Sequence, residues 1–238
     1  MGCDCGTHID SPFHWFPKIN GKKSRTISEL TVDELTAPGV VVDVSAKCAE
    51  NCDYELTVDD LLQWEARNGP MPERCFVAMK TGWSAKFNDA VAYTNFDGKP
   101  GVYPANPELG TPGGTMHFPG FATETAKFLI EQRSIVGIGI DTLSLDPGNS
   151  ATFGTHATIL GSDRFQVENL KLDGVPEAGL CFVCLPIKIK VGVGVGVGVG
   201  VGLGLGLGLG LGLVLRLGLG VRLRLELGLE LGLELGLE

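Results

Sequence analysis

An α/β fold is predicted for this chain, on three observations. Short β-branched or apolar runs of strand length recur along residues 1–190. Segments with helix caps and helical apolar spacing lie between them. Once a repetitive tail is set apart, the rest has an ordinary composition and enough length for one sizeable core. That tail, residues 191–238, holds 16 of the 35 glycines. It has Val or Leu at every odd position and mostly Gly, Arg or Glu at the even ones. The expected organisation is one compact domain over 1–190 and a low-complexity tail over 191–238.

The elements follow in chain order. Residues 17–31, polar with Lys18, Lys22, Lys23 and Arg25 around Gly21, read as an exposed loop. Gly39-Val-Val-Val-Asp-Val-Ser45 has the β-branched character of a strand. Thr57-Val-Asp-Asp60 supplies an N-cap and an acidic first turn for a helix through Arg67. Asn68-Gly69-Pro70 stops it. Phe76–Lys80 is a second strand, ending at Thr81-Gly82-Trp83. Residues from about 86 to 118 are irregular and rich in Gly, Pro and Asn, the mark of a functional or mobile loop. Ala122–Arg133 is an amphipathic helix with Ala126, Leu129 and Ile130 on one face. Ile135–Ile140 is a strand with Asp141 at its C-terminal end. In the apolar run Gly179–Ile189, a buried strand, Cys181 and Cys184 face opposite sides and cannot act as a pair.

Charge and cysteine usage narrow the class. Residues 1–190 carry −8 of the net −9 and contain no Lys/Arg run, which excludes nucleic acid or an anionic membrane as the main partner. Seven cysteines, an odd number at irregular spacing without a signal peptide, point to reduced thiols and a cytoplasmic location. Cys48 and Cys52 flank Ala-Glu-Asn and have no second pair to complete a zinc site. Met1-Gly2-Cys3 is similar to a lipidation signal, but Gly6 stands where myristoylation requires Ser or Thr. In the tail, Val191–Leu215 is 25 uncharged residues, long enough for a membrane helix. Its glycines each disfavour helix by about 1 kcal/mol against Ala, and no globular strand runs 48 residues without a turn. The tail therefore reads as a translated tandem repeat, disordered or an artefact of gene assembly, rather than a membrane anchor.

The chemistry concentrates near the start. Of four histidines (His8, His14, His117 and His156), two fall in Asp4-Cys5-Gly6-Thr7-His8-Ile9-Asp10-Ser11-Pro12-Phe13-His14. Asp4, His8, Asp10 and His14 are all even-numbered, so an extended segment aims them to one side. Fully extended, His8 and His14 would stand roughly 20 Å apart, whereas ligands of one ion lie about 2 Å from its centre. The chain must fold back between them, and Ser11-Pro12 is the place for it. Two imidazoles and two carboxylates so spaced suit Zn²⁺ or Mn²⁺; the competing reading is a polar strand with surface histidines.

Gly6-Thr7-His8-Ile9-Asp10-Ser11-Pro12-Phe13-His14 resembles the H-x-G-T-H-x-D-x-P-x-H motif of the cyclase family, metal-dependent hydrolases that include kynurenine formamidase and isatin hydrolase. Thr81-Gly82-Trp83, His117-Phe-Pro-Gly-Phe121, Gly137–Asp146, His156–Gly161 and Glu168-Asn-Leu170 extend the resemblance over residues 4–190. It implies a compact α/β domain with a β-barrel-like mixed sheet flanked by helices, assembled as a homodimer or higher homo-oligomer. It implies His8 and Asp10 as metal ligands and His14 as a ligand or a proton shuttle. His156 and Glu168, twelve apart, resemble the second-site pair of the formamidases. In a two-metal arrangement His14 helps bridge and Glu168 is free to shuttle the proton. Asp4 occupies the position of the motif's first histidine, which hardens the donor set and tilts it toward Mn²⁺.

The implied reaction is hydrolysis of an amide, as in N-formylkynurenine to kynurenine and formate, through a metal-activated water. The alternatives are hydrolysis of a cyclic amide or lactone, as by isatin hydrolase, or a catalytically silent protein left by the Asp4 replacement. Trp15 and Phe16 line an aromatic substrate pocket or pack in the core. His117 closes over the substrate or is a loop histidine. Against the family pattern the chain is also expected to be truncated ahead of the motif, with the repeat replacing the final segment.

Overall fold

The computed structural model describes residues 6–98 and 114–188, together with the backbone of 194–203. The first strand, β1 (His8–Asp10), leads into a single helical turn, α1 (Pro12–Trp15). A small hairpin, β2 (Lys18–Ile19) and β3 (Lys22–Lys23), and the short α2 (Val32–Leu35) precede β4 (Thr36–Asp43). Then come α3 (Ser45–Glu50), β5 (Glu55–Leu56), α4 (Val58–Asn68) and β6 (Phe76–Lys80). Next are α5 (Ala90–Thr94), β7 (Gly120–Phe121), α6 (Thr123–Arg133) and β8 (Gly137–Ile140). The last elements are α7 (Gly154–Gly161), β9 (Phe165–Glu168), β10 (Leu180–Pro186) and β11 (Gly194–Leu203).

Six strands in the order β10-β4-β6-β8-β9-β1 form a strongly curled sheet, and β11 joins its two edges into a closed barrel. The four central strands run parallel, as helical crossovers require, while β10 and β1 are antiparallel to their neighbours. The α/β fold with a barrel-like sheet and flanking helices is thus observed. Side chains alternate across the sheet with period two. Val40, Val42, Val77, Met79, Ile138 and Ile140 face an outer core under the helices, including Leu61 and Trp64 of α4 and Leu129 of α6. Val41, Phe76, Phe165, Val167 and Phe182 fill the barrel interior. There Phe76 and Phe182 stack with centroids 3.6 Å apart. Two glycines make room for this aromatic filling. A Cβ on Gly139 would lie 2.7 Å from Cζ of Phe76, and one on Gly137 would lie 2.7 Å from the Phe165 carbonyl oxygen.

Helix α4 starts as expected. Thr57 caps it, and the Asp60 carboxylate accepts from the Thr57 backbone N–H at 2.8 Å. Gly69 ends it with φ +87°. Two expectations are corrected. Residues 17–31 are not a loop exposed throughout. Asn20-Gly21, both at positive φ, turns the β2–β3 hairpin, and Ser24, Thr26, Ile27 and Leu30 are buried. The strand expected from Ile135 begins at Gly137. Within the low-complexity tail that starts at residue 191, the backbone of Gly194–Leu203 forms a strand paired with β10 and β1. Its period-two sequence suits that pairing, and ten residues are a feasible strand where 48 are not. The rest of the tail lies outside the described residues. No helix among the described residues is long and apolar enough to cross a membrane.

Candidate metal centre

Strands β1 and β9 pair antiparallel with His8 opposite Glu168 and Asp10 opposite Gln166. The odd-numbered Ile9 and Val167 go into the barrel. Their even-numbered neighbours project to the other face, where α1 and α7 cover them. Burial of polar groups here is extreme: His8 is 3% exposed, Asp10 1%, His156 6% and Glu168 5%. His8, Asp10 and Glu168 each bring one ligand-type atom within 4.8 Å of the other two. His8 Nε2 stands 3.4 Å from Glu168 Oε2 and 3.8 Å from Asp10 Oδ2.

The chain folds back after β1 as the spacing required. Ser11 precedes α1 and Pro12 opens it, with its fixed φ suited to a first helical position. His14 is thereby brought round so that Nδ1 lies 3.7 Å from Asp10 Oδ1. Helix α7 supplies the fourth side. His156 Nε2 stands 3.1 Å from Glu168 Oε1, and His156 Nδ1 is held by Asp146 Oδ2 at 2.6 Å. Asp146 also accepts from the backbone N–H groups of Thr155 and His156, the free donors at the start of α7. Gln166 Nε2 donates to Asp10 Oδ2 at 3.1 Å and to Glu168 Oε1 at 3.3 Å, separating two carboxylates that would otherwise repel.

The electrostatics follow from this packing. Burial disfavours the charged His8 imidazole, but its bond to Glu168 and the nearby Asp10 outweigh that and raise its pKa to about 9. Burial likewise opposes a charged His156, and its bonds to Asp146 and Glu168 raise it to about 10. Burial and the neighbouring Glu168 charge push Asp10 up. Glu168 is driven upward by burial, yet the imidazoles of His156 and His8 hold it well below the carboxylate range. Among the described residues, two buried acceptors here, Asp10 Oδ1 and Gln166 Oε1, have no hydrogen-bond partner, and the His14 imidazole stands 3.7 Å from Asp10 Oδ1. An anionic oxygen stranded among imidazoles and carboxylates is what a cation site leaves when only protein atoms are counted. The N/O donor set fits a divalent ion of the Zn²⁺ or Mn²⁺ class.

The structure therefore gathers His8, Asp10, His14, His156 and Glu168. Asp4 lies outside the described residues. Trp15 stands beside the group, its ring centroid 5.4 Å from that of His156 and 5.5 Å from that of Phe153. Phe16 does not join them; it packs on the outer core and against Gly161 of α7, so the packing alternative describes it. The described contacts of His117 are with Asp53 and Asp97, the setting of its loop-histidine reading. Sequence reasoning missed Asp146, Gln166 and Phe153. Asp146 ends the quoted Gly137–Asp146 stretch, but its bond to His156 spans ten residues and has no local periodicity to reveal it. Gln166 could have been found by the same alternation that marks Glu168.

Comparisons with known proteins identify the family. The Cyclase family model matches residues 1–147. Isatin hydrolase of Roseibium aggregatum is 30% identical over 195 residues, which cover 79% of this chain and 67% of that protein. Kynurenine formamidase of Bordetella petrii is 41% identical over 73 residues, 31% of this chain and 34% of that protein. The solved isatin hydrolase A of Ralstonia solanacearum superposes with a TM-score of 0.72 at 32% identity, covering 83% of this chain and 71% of that one. With the motif, the barrel and the buried cluster in place, the chain belongs to the cyclase family of metal-dependent hydrolases.

Proposed function

We propose that this protein hydrolyses the amide bond of an arylformamide, N-formylkynurenine to kynurenine and formate, at a divalent metal held by His8, Asp10 and Glu168. The observation that carries the reading is their convergence around Asp10 Oδ1, a buried oxygen with no hydrogen-bond donor among the described residues, with His156 bonded to Glu168. A bound cation supplies the positive charge that acidifies a water and polarises the substrate carbonyl.

The chain's own residues do the rest. Glu168 has both oxygens engaged, Oε1 by His156, Gln166 and the Leu145 N–H, Oε2 by His8. That suits a fixed ligand better than a proton carrier. His14 is the freer base, with a side chain 26% exposed and Nδ1 turned toward Asp10. Its Nε2 takes the proton of the attacking water and returns it to the leaving amine. Asp146 fixes the His156 ring so that Nε2 faces Glu168. Trp15 and Phe153, both partly exposed beside His156, flank an aryl group. Phe153 holds this position at φ +49°, a conformation of appreciable cost for a non-glycine residue and one that concentrates at binding sites.

A second reading has its own support. The similarity to isatin hydrolase holds at 30% identity over 195 residues, against 24% over the same length for the kynurenine formamidase of Paracidovorax citrulli. A cyclic amide or lactone would use the same groups, the ring-opened amine or alkoxide taking the proton from His14. Formate release from N-formylkynurenine, measured beside ring opening of isatin after reconstitution with Mn²⁺ or Zn²⁺, separates the two. Formate release alone supports the first reading, isatin opening alone the second. Turnover of neither substrate by the metal-loaded protein contradicts both and favours the catalytically silent alternative.

A further inference from the structure

A second group of metal-ligating side chains lies apart from this centre. Cys52, Asp53 and His117 each bring a ligand-type atom within 4.8 Å of the other two. The fold builds this meeting. Strands β5 and β7 pair in parallel, Glu55 opposite Gly120, so the residues just before each strand emerge at the same end. Asp53 precedes Glu55 by two residues and His117 precedes Gly120 by three. Both leads are pinned. The Cys52-Asp53 turn closes with the Tyr54 N–H donating to the Asn51 carbonyl and the Asp53 N–H donating to Asn51 Oδ1. His117 is held on both backbone sides by Asn95: its N–H donates to the Asn95 carbonyl, and its carbonyl accepts from Asn95 Nδ2. Cys52 rests on Trp83, Tyr93 and Phe118, which leaves its sulfur on a firm apolar base.

We propose that Cys52, Asp53 and His117 form a second metal site, for a Zn²⁺-class ion, with Asp97 orienting the histidine. Sulfur, nitrogen and carboxylate oxygen together are the donors that tetrahedral Zn²⁺ takes, a fourth position remaining for water at a partly exposed site. Ligand atoms 2.0–2.3 Å from a tetrahedral centre stand about 3.5 Å from one another. The cluster therefore needs only small adjustments, the His117–Asp53 pair parting slightly to admit the ion. His117 Nδ1 already lies 2.9 Å from both Asp53 oxygens, and its Nε2 lies 3.5 Å from Asp97 Oδ2. A ring with one nitrogen at the donor cluster and the other on a carboxylate is the arrangement in which an outer acid fixes the tautomer of a metal-bound histidine. Binding releases the thiol proton of Cys52 and the Nδ1 proton of His117 to solvent, the metal taking both positions.

The sulfur makes the site separable from the buried centre, whose described donors are nitrogen and oxygen. Cobalt(II) is the probe, added to a full-length protein carrying Cys3→Ser and Cys5→Ser, which removes the two thiols next to Asp4. The expected result is two equivalents of cobalt bound, with a thiolate-to-cobalt charge-transfer band. Cys52→Ser should abolish the band and one equivalent, while His8→Ala should leave the band in place. Asp97→Asn should weaken the cobalt binding read at that band about 10–100-fold. Absence of the band at saturating cobalt, or a band that survives Cys52→Ser or is unmoved by His117→Gln, would overturn the proposal.

Discussion

His8, Asp10 and Glu168 are at most 5% exposed and grow from two strands whose register is locked by the sheet. Cys52, Asp53 and His117 are partly exposed and stand on the turns that lead into a two-residue strand pair. In the buried centre a strand fixes every second side chain, so two residues apart in sequence become neighbours on one face. The low local dielectric then makes any unmatched charge expensive, which accounts for the orienting roles of Asp146 and Gln166. At the rim, water screens the same kinds of charge. Its geometry is held by turn hydrogen bonds and one apolar base. The contrast teaches that ligand-type side chains can be gathered mainly by strand register or mainly by loop anchoring. The two should respond differently to perturbation.

The largest effect is expected at the buried centre. Asp10→Asn keeps the shape but removes the carboxylate charge, and kcat/KM for the active substrate should fall by at least about 100-fold, as loss of a direct ligand exceeds that of an outer one. Cys52→Ser should leave the same constant unchanged. Asp146→Asn keeps a cap for α7 but weakens the hold on His156, so activity should fall about 10–100-fold with the melting temperature nearly unchanged. A fall no greater than that of a rim substitution would erase the distinction drawn here. Gly139→Ala presses a methyl group on Phe76 and Leu170 behind the buried centre and should cost about 1–3 kcal/mol in urea denaturation.

The rim has an anchor of its own in Asp60, which accepts from the Tyr54 hydroxyl directly after Cys52-Asp53, from Thr57, and from Lys47. Burial pushes the Asp60 carboxyl up, but these donors win and hold its pKa below the ordinary 3.8. Because the folded value is the lower one, the stabilisation is complete above pH 3.8 and drains away as pH falls below it. Asp60→Asn should cost about 1 kcal/mol at neutral pH, and its difference from the parent should shrink in acid. A difference that grows in acid would contradict this sign. The smallest effect is expected for Asp53→Asn, within about 0–1 kcal/mol of stability, since its ion pair with His117 is partly exposed and screened by water.

Much of this was readable in advance wherever the determinant was local. Thr57 through Gly69 announced a helix with both ends, because caps and stops act within one turn. The Gly6–His14 motif and the His156–Glu168 pair named the side chains that now meet. What escaped was set by distant pairing. The meeting of Cys52 with His117 depends on β5 finding β7 across more than sixty residues, and Asp146 reaches His156 only after the chain loops into α7. Gly194–Leu203 carries the alternation of a strand, but only the two open edges of the curled sheet give it a place to pair. The Asn20-Gly21 hairpin was local and legible; the lysines around it drew the reading toward an exposed loop.

A cation held between β1 and β9 is the central claim, and anomalous diffraction from crystals grown with Mn²⁺ or Zn²⁺ tests it most directly. A peak at the absorption edge, about 2.0–2.3 Å from His8 Nε2 and from carboxylate oxygens of Asp10 and Glu168, is the predicted result. Well-ordered side chains at these positions with no anomalous density among them would contradict it.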